Sequence, residues 1–152
     1  MILLTILISI SYCIFFFWLT EGLRKSTYQT LPHLDELPSV SIIVSARNEE
    51  NNISNLLMSL NQLTYPKNKL EYVIVNDRSY DSTPELLKIA VKDNSFLTII
   101  HVKETPIGWA PKKWALQQAI EKSKNEIILQ TDADCTFNTD WVQTMVSPFL
   151  NP

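Results

Sequence analysis

Basic charge is scarce in this chain. Of its 152 residues, 13 are Lys or Arg and 16 are Asp or Glu, which leaves a net charge of −3 and a pI near 5.3. A nucleic-acid-binding protein carries a basic face, so this balance argues against that class. Cysteine is scarcer still, with only Cys13 and Cys135. Two thiols so placed make neither a disulfide framework nor a cysteine-type metal cluster. Cys135, beside an acidic pair, reads as a small filler or as a reactive thiol. A third absence is local: no charged residue occurs from Ile2 to Leu19, and only Thr5, Ser9, Ser11, Tyr12 and Cys13 interrupt the apolar run. As a helix it would span about 27 Å, enough for the hydrocarbon core of a bilayer. A cleaved signal peptide requires a basic stretch before such a run and small residues after it, yet Phe15-Phe16-Phe17-Trp18 stands there. Residues 1–20 are therefore read as a single-pass transmembrane anchor with Trp18 at the interface. Arg24 and Lys25 put the soluble remainder in the cytoplasm by the positive-inside rule.

What is present after the anchor is an alternation of β-branched runs and amphipathic stretches. Residues 21–39, polar and carrying Pro32 and Pro38, form a linker. Val40 to Ala46 reads as a strand, followed by a helix capped by Asn51 or Asn52 with Ile53, Leu56, Leu57 and Leu60 on one face. Tyr72 to Val75 is a second strand. Ser82 to Lys92 is a second helix, capped by Ser82 or Thr83, with Leu86, Leu87, Ala90 and Val91 inward. Phe96 to Val102 is a third strand, Trp114 to Lys122 a helix resting on Ala115, Ala119 and Ile120, and Ile127 to Gln130 a fourth, buried strand. Strands joined by helical crossovers imply an α/β fold with a parallel sheet covered on both faces. All carboxyl ends then share one edge, so Arg47 to Glu49, Asn76 to Ser79 and Asp132 to Asp134 should converge.

The acidic pair carries the chemistry. In an extended segment, residues i and i+2 point the same way, which lets Asp132 and Asp134 meet one cation. Hard oxygen ligands of this kind suit Mg²⁺ or Mn²⁺, which in turn neutralises a bound diphosphate. A turn or a helix N-cap accounts for the same two aspartates without any ligand.

Val-Ser-Ala-Arg-Asn-Glu-Glu at the first strand tip, Val-Ile-Val-Asn-Asp-Arg-Ser-Tyr-Asp-Ser-Thr at the second and Thr-Asp-Ala-Asp at the fourth resemble the motifs of family 2 glycosyltransferases, in the same order. The resemblance runs over nearly all of residues 38–152. It implies a Rossmann-like glycosyltransferase fold of type A that binds a nucleotide-diphospho-sugar, a UDP-sugar in the first instance. It also implies that Ala46, Arg47, Glu49 and Asp77 hold the base and ribose, that Asp132 approaches the ribose or sugar, and that Asp134, with Asp132, coordinates Mn²⁺ or Mg²⁺. Lys112, in a segment similar to the family's Gly-Lys stretch, would meet a phosphate as a point charge. Two departures stand out: Asn76 replaces the first of two acids, and Pro111 replaces a glycine. Without the resemblance, Lys112 and Lys113 read as a solvated helix start, and Arg47 and Glu49 as a surface ion pair.

In the resembling family the acceptor-binding half and the general base follow the Asp-x-Asp. Deprotonating an acceptor hydroxyl needs a base within hydrogen-bond reach. Here Asp140 is the one acid after Asp134, and its place as N-cap of a helix over Trp141 to Phe149 suits that role poorly. The chain is therefore expected to be the donor-binding half of a metal-dependent, inverting enzyme, residues 40–152 forming the N-terminal part of an incomplete domain with no catalytic residue assigned. Three rivals remain: a non-catalytic nucleotide- or partner-binding module, an inert fragment, and a haloacid-dehalogenase-like phosphatase with Asp132 as nucleophile and Asp134 as acid/base.

Overall fold

The computed structural model of the protein describes residues 2–26 and 37–150. These fall into two compact units, one holding the N-terminal helix and the other the sheet. Helix α1 runs Ile2–Ser26, beyond the expected end at residue 20. No proline stands between Thr20 and Ser26, so Gly22 alone weakens the helix there, and Glu21 pairs with Arg24 one turn on, at 3.3 Å. Within residues 2–24 the most apolar 18-residue window has a mean hydropathy of 2.5, and the helix is long and apolar enough to cross a membrane. Of the expected linker, 21–26 is therefore helix and 27–36 lies outside the described residues.

The second unit is built on four parallel strands, β1 (Val40–Ala46), β2 (Leu70–Asp77), β3 (Leu97–Val102) and β4 (Ile127–Asp132), in the order β3-β2-β1-β4. Helices α2 (Ile53–Asn61), α3 (Thr83–Asp93) and α4 (Pro111–Lys122) make the connections, and α5 (Trp141–Leu150) follows β4. Period-two alternation decides what each face meets. Ile43, Val73 and Val75 pack with Ala115 and Ala119 of α4 on one face. Ile42, Val44 and Ile74 are buried on the other, where Tyr72 Oη donates to the Leu60 carbonyl of α2 at 3.2 Å. Each fully buried Ile, Leu or Val contributes about 1.5–3 kcal/mol relative to exposure.

Several boundaries differ from expectation, each for a local reason. β2 runs from Leu70 to Asp77, because pairing with β1 from Val40↔Leu70 to Ala46↔Asn76 uses its polar ends as well as its apolar middle. α4 begins at Pro111 rather than Trp114, as proline at the first helical position gives up an N–H that has no partner there anyway. Ile120 and Val91 are exposed rather than inward, since the buried stripe of α4 is the narrow Ala115–Ala119 row and that of α3 centres on Leu87. Among the described residues β4 is the last strand of the sheet on its side, and Leu129 is covered while Ile127 and Ile128 are half-exposed. A short apolar run does not distinguish a central strand from an edge one. Neither Asn52 nor Ser82 caps with its side chain. Instead the Glu49 carbonyl accepts the N–H groups of Asn52 and Ile53, and Asp81 accepts that of Thr83.

Candidate functional site

The register brings the tips of β1, β2 and β4 side by side, with Ala46 opposite Asn76 and Ser45 opposite Asp132. The strand order reverses at β1, which has β2 on one side and β4 on the other. That is where an open α/β sheet leaves a crevice outside its carboxyl edge. A cavity of about 490 Å³ opens there, lined by Ser45, Arg47, Glu49, Asp77, Ala110, Pro111, Lys112, Asp132, Ala133 and Asp134. All three strand-tip clusters singled out in the sequence reach this one wall. Ala46 does not; it is fully buried beneath it, and Ser45 takes its place. Ser45, Ala110, Pro111 and Ala133 carried no sequence signal of their own, although the register opposite Asp132 would have found Ser45.

Asp132 is the last residue of β4, and a turn closed by Cys135 N–H to the Asp132 carbonyl at 3.3 Å carries Asp134. The two acids therefore do not share the direction of an extended segment, as the spacing had suggested, yet the turn returns both to the same cavity. Lys112 Nζ reaches Asp132 Oδ1 at 2.8 Å, so Lys112, solvated at the start of α4, also has a specific partner on the cavity wall. That hydrogen bond, more than any other influence, holds the lysine above its ordinary pKa. Lys113 is not on the wall. α4 also points its N-terminus at the cavity, with no side-chain cap at Ala110, which favours an anion there.

The floor is less accessible. Asp77 is 2% exposed and accepts from Arg78 Nε at 2.8 Å, which raises the arginine's pKa. Arg78 adopts a φ of 55°, and Asn48, at the neighbouring tip, one of 57°. Left-handed backbone is uncommon outside glycine and persists where surrounding contacts over-determine it. Here they do. Asn48 N–H donates to Ser79 Oγ at 3.0 Å and Asn48 Oδ1 accepts from Tyr80 N–H at 3.1 Å. Glu49 N–H donates to Thr83 Oγ1 at 2.8 Å, Glu50 N–H to Asp81 Oδ2 at 3.1 Å, and Ser82 N–H to Glu50 Oε2 at 3.0 Å. This clasp between the two loops sets the position of Arg47 and Glu49. Glu49 Oε2 accepts from Asn52 Nδ2 at 2.7 Å, rather than serving a surface pair with Arg47. Asn76 keeps a structural task in place of an acid's: its Oδ1 accepts from Ser79 N–H at 3.2 Å, and its Nδ2 lies 3.1 Å from His101 Nδ1.

As a metal site the arrangement is open. Among the described residues no three His, Cys, Asp or Glu side chains gather to hold an ion. Asp132 and Asp134 offer two hard carboxylates on a solvent-reached wall. That set suits Mg²⁺ or Mn²⁺ shared with phosphate oxygens and water, not a closed protein cage.

Comparison with known proteins gives one consistent result. The family model described as Glycosyl transferase family 2 matches residues 41–152. A beta-monoglucosyldiacylglycerol synthase from Trichormus variabilis is 35% identical over 113 residues, 74% of this chain and 24% of that protein. Among solved structures, a mannosyltransferase from Pyrobaculum calidifontis in complex with GDP-Man and Mn²⁺ superposes with a TM-score of 0.71 at 26% identity, covering 91% of this chain and 40% of that one. Staphylococcus aureus TarS in complex with UDP-GlcNAc gives 0.58 at 27% identity, covering 72% and 30%. The chain spans about a quarter to a third of the length of the curated relatives it matches.

Proposed function

The chain belongs to glycosyl transferase family 2, and from that premise we propose that it is the donor-binding half of a membrane-anchored, inverting glycosyltransferase that takes a nucleotide-diphospho-sugar with Mn²⁺ or Mg²⁺. The observation that carries this reading is the cavity at the carboxyl edge in which Arg47, Glu49, Asp77, Lys112, Asp132 and Asp134 meet. Arg47, Glu49 and Asp77 are assigned to the nucleoside. Asp132 and Asp134 are assigned to the cation, which when bound neutralises the diphosphate and so favours its departure. Lys112 and the uncapped start of α4 are assigned to the diphosphate. A UDP-sugar is the first donor to test and a GDP-sugar the second, since similar structures hold one or the other. The N-terminal helix, through its apolar stretch Ile2–Arg24, is assigned to the anchor, and residues 40–152 to the donor-binding part, lying on the cytoplasmic side. The family match sets the haloacid-dehalogenase reading aside. Asp140, which accepts from Thr144 N–H through its carbonyl at 2.9 Å, sits at the start of α5 and is given no catalytic role.

The test is calorimetric titration of the full chain in detergent with UDP and GDP, each with and without Mn²⁺, alongside Asp134→Asn. The substitution keeps the side chain's size and removes its charge, so metal-dependent affinity should fall at least about tenfold, as expected for loss of a charged ligand. A folded protein that binds neither nucleotide under any condition would remove the donor-site reading.

A further inference from the structure

We propose that Lys112 is an exchangeable counter-ion: it holds Asp132 while the donor is absent, and releases it to a divalent cation when a nucleoside diphosphate enters, its ammonium passing to a phosphate oxygen. The inference deepens the donor-site reading and rests on it. Three observations carry it. Lys112 Nζ and Asp132 Oδ1 are 2.8 Å apart, and both residues line the same cavity. Their side chains are 58% and 48% exposed, so the pair is held weakly and is free to open. The wall also carries four carboxylates, Glu49, Asp77, Asp132 and Asp134, against Arg47 and Lys112, and it stays net negative with Arg78 paired to Asp77.

That balance decides the order of events. A diphosphate by itself meets a net negative wall, whereas a cation by itself must compete with Lys112 for Asp132. When both are present, Asp132 and Asp134 face the cation and Lys112 is released next to the anion, at a helix start with no side-chain cap. Lys112 thereby makes binding of the two ligands mutually reinforcing, and such coupling is reciprocal by thermodynamic necessity.

The experiment follows free Mn²⁺ by electron paramagnetic resonance as full chain in detergent is titrated, without nucleotide and then with saturating UDP or GDP. The proteins are the parent, Lys112→Met, Lys112→Gln, Lys112→Arg and Lys113→Met. Both neutral substitutions at Lys112 should tighten Mn²⁺ binding without nucleotide by about two- to fivefold, the range of an exposed ion pair, and weaken it with nucleotide present. Lys112→Arg should stay near the parent. Lys113→Met should change neither affinity, because Lys113 is off the wall. Unchanged Mn²⁺ affinity in both neutral variants would overturn the counter-ion role, as would an equal shift in Lys113→Met, which would mean general electrostatics. Absence of nucleotide binding by every protein, parent included, would instead sink the donor reading.

Discussion

Asp77 is the residue at which local strain and the site meet. Its carboxylate is buried and paired with Arg78, whose backbone is left-handed and whose Nη2 is shut from solvent with no acceptor among the described residues. Asp77→Ala would leave the rest of that guanidinium short of its partner. We expect a loss of about 1–3 kcal/mol, read as a shift in the urea midpoint with an unchanged slope. Asp77→Asn keeps an acceptor oxygen and should cost less. Single residues were read with uneven success in the sequence. Arg47, Glu49, Asp77, Asp132 and Asp134 all reach the cavity, because acids and bases at strand ends have few other places to go. Ala46 does not reach it. The strand's alternation turns its side chain inward and brings Ser45 to the wall.

At the scale of elements, the clasp between the β1–α2 and β2–α3 loops is what holds two strand tips in one geometry. Asp81 is its centre, accepting from the backbone of Glu50 and Thr83. Desolvation pushes the Asp81 carboxyl up, but the bonds from the Thr83 hydroxyl and these N–H groups together outweigh it and hold the pKa below the usual 3.8. The ionised form is therefore favoured in the folded chain. Its contribution is present above the unfolded pKa and is lost as pH falls through the depressed folded value. Thermal unfolding followed from about pH 6 to about pH 3 should show this slope, and Asp81→Asn should flatten it while leaving the neutral-pH secondary structure intact. The sequence showed that the helices exist, through the periodicity of Ile53, Leu56 and Leu60, but not their caps. Glu49 and Asp81 take the expected cap residues' place at the helix starts, and they are held there by bonds between loops more than thirty residues apart, as from Glu49 to Thr83, which no local pattern encodes.

At the scale of the whole molecule, two tyrosines tie the sheet unit together. Tyr72 Oη donates to Leu60 and Tyr65 Oη to the Pro38 carbonyl at 2.5 Å, and burial pushes both phenols up to about 12. Their stabilising effect is complete below the unfolded pKa of 10.0 and is lost as pH rises through about 12. Tyrosinate absorbance should therefore rise together with loss of helical ellipticity, and Tyr72→Phe should soften the alkaline transition at a cost of about 1 kcal/mol near neutral pH.

The sequence by itself determined the α/β class, the parallel alternation, the family and the apolar N-terminal helix, because each rests on short-range periodicity or on motifs contiguous in the chain. Tertiary structure alone decided that Ser45 rather than Ala46 reaches the wall, that a turn rather than an extended segment brings Asp132 and Asp134 to one cavity, and that Lys112 faces Asp132. Those outcomes depend on register and on crossovers that bring together residues twenty or more positions apart, such as Lys112 and Asp132. Pairing energy over whole strands sets that register, and no single stretch of sequence contains it.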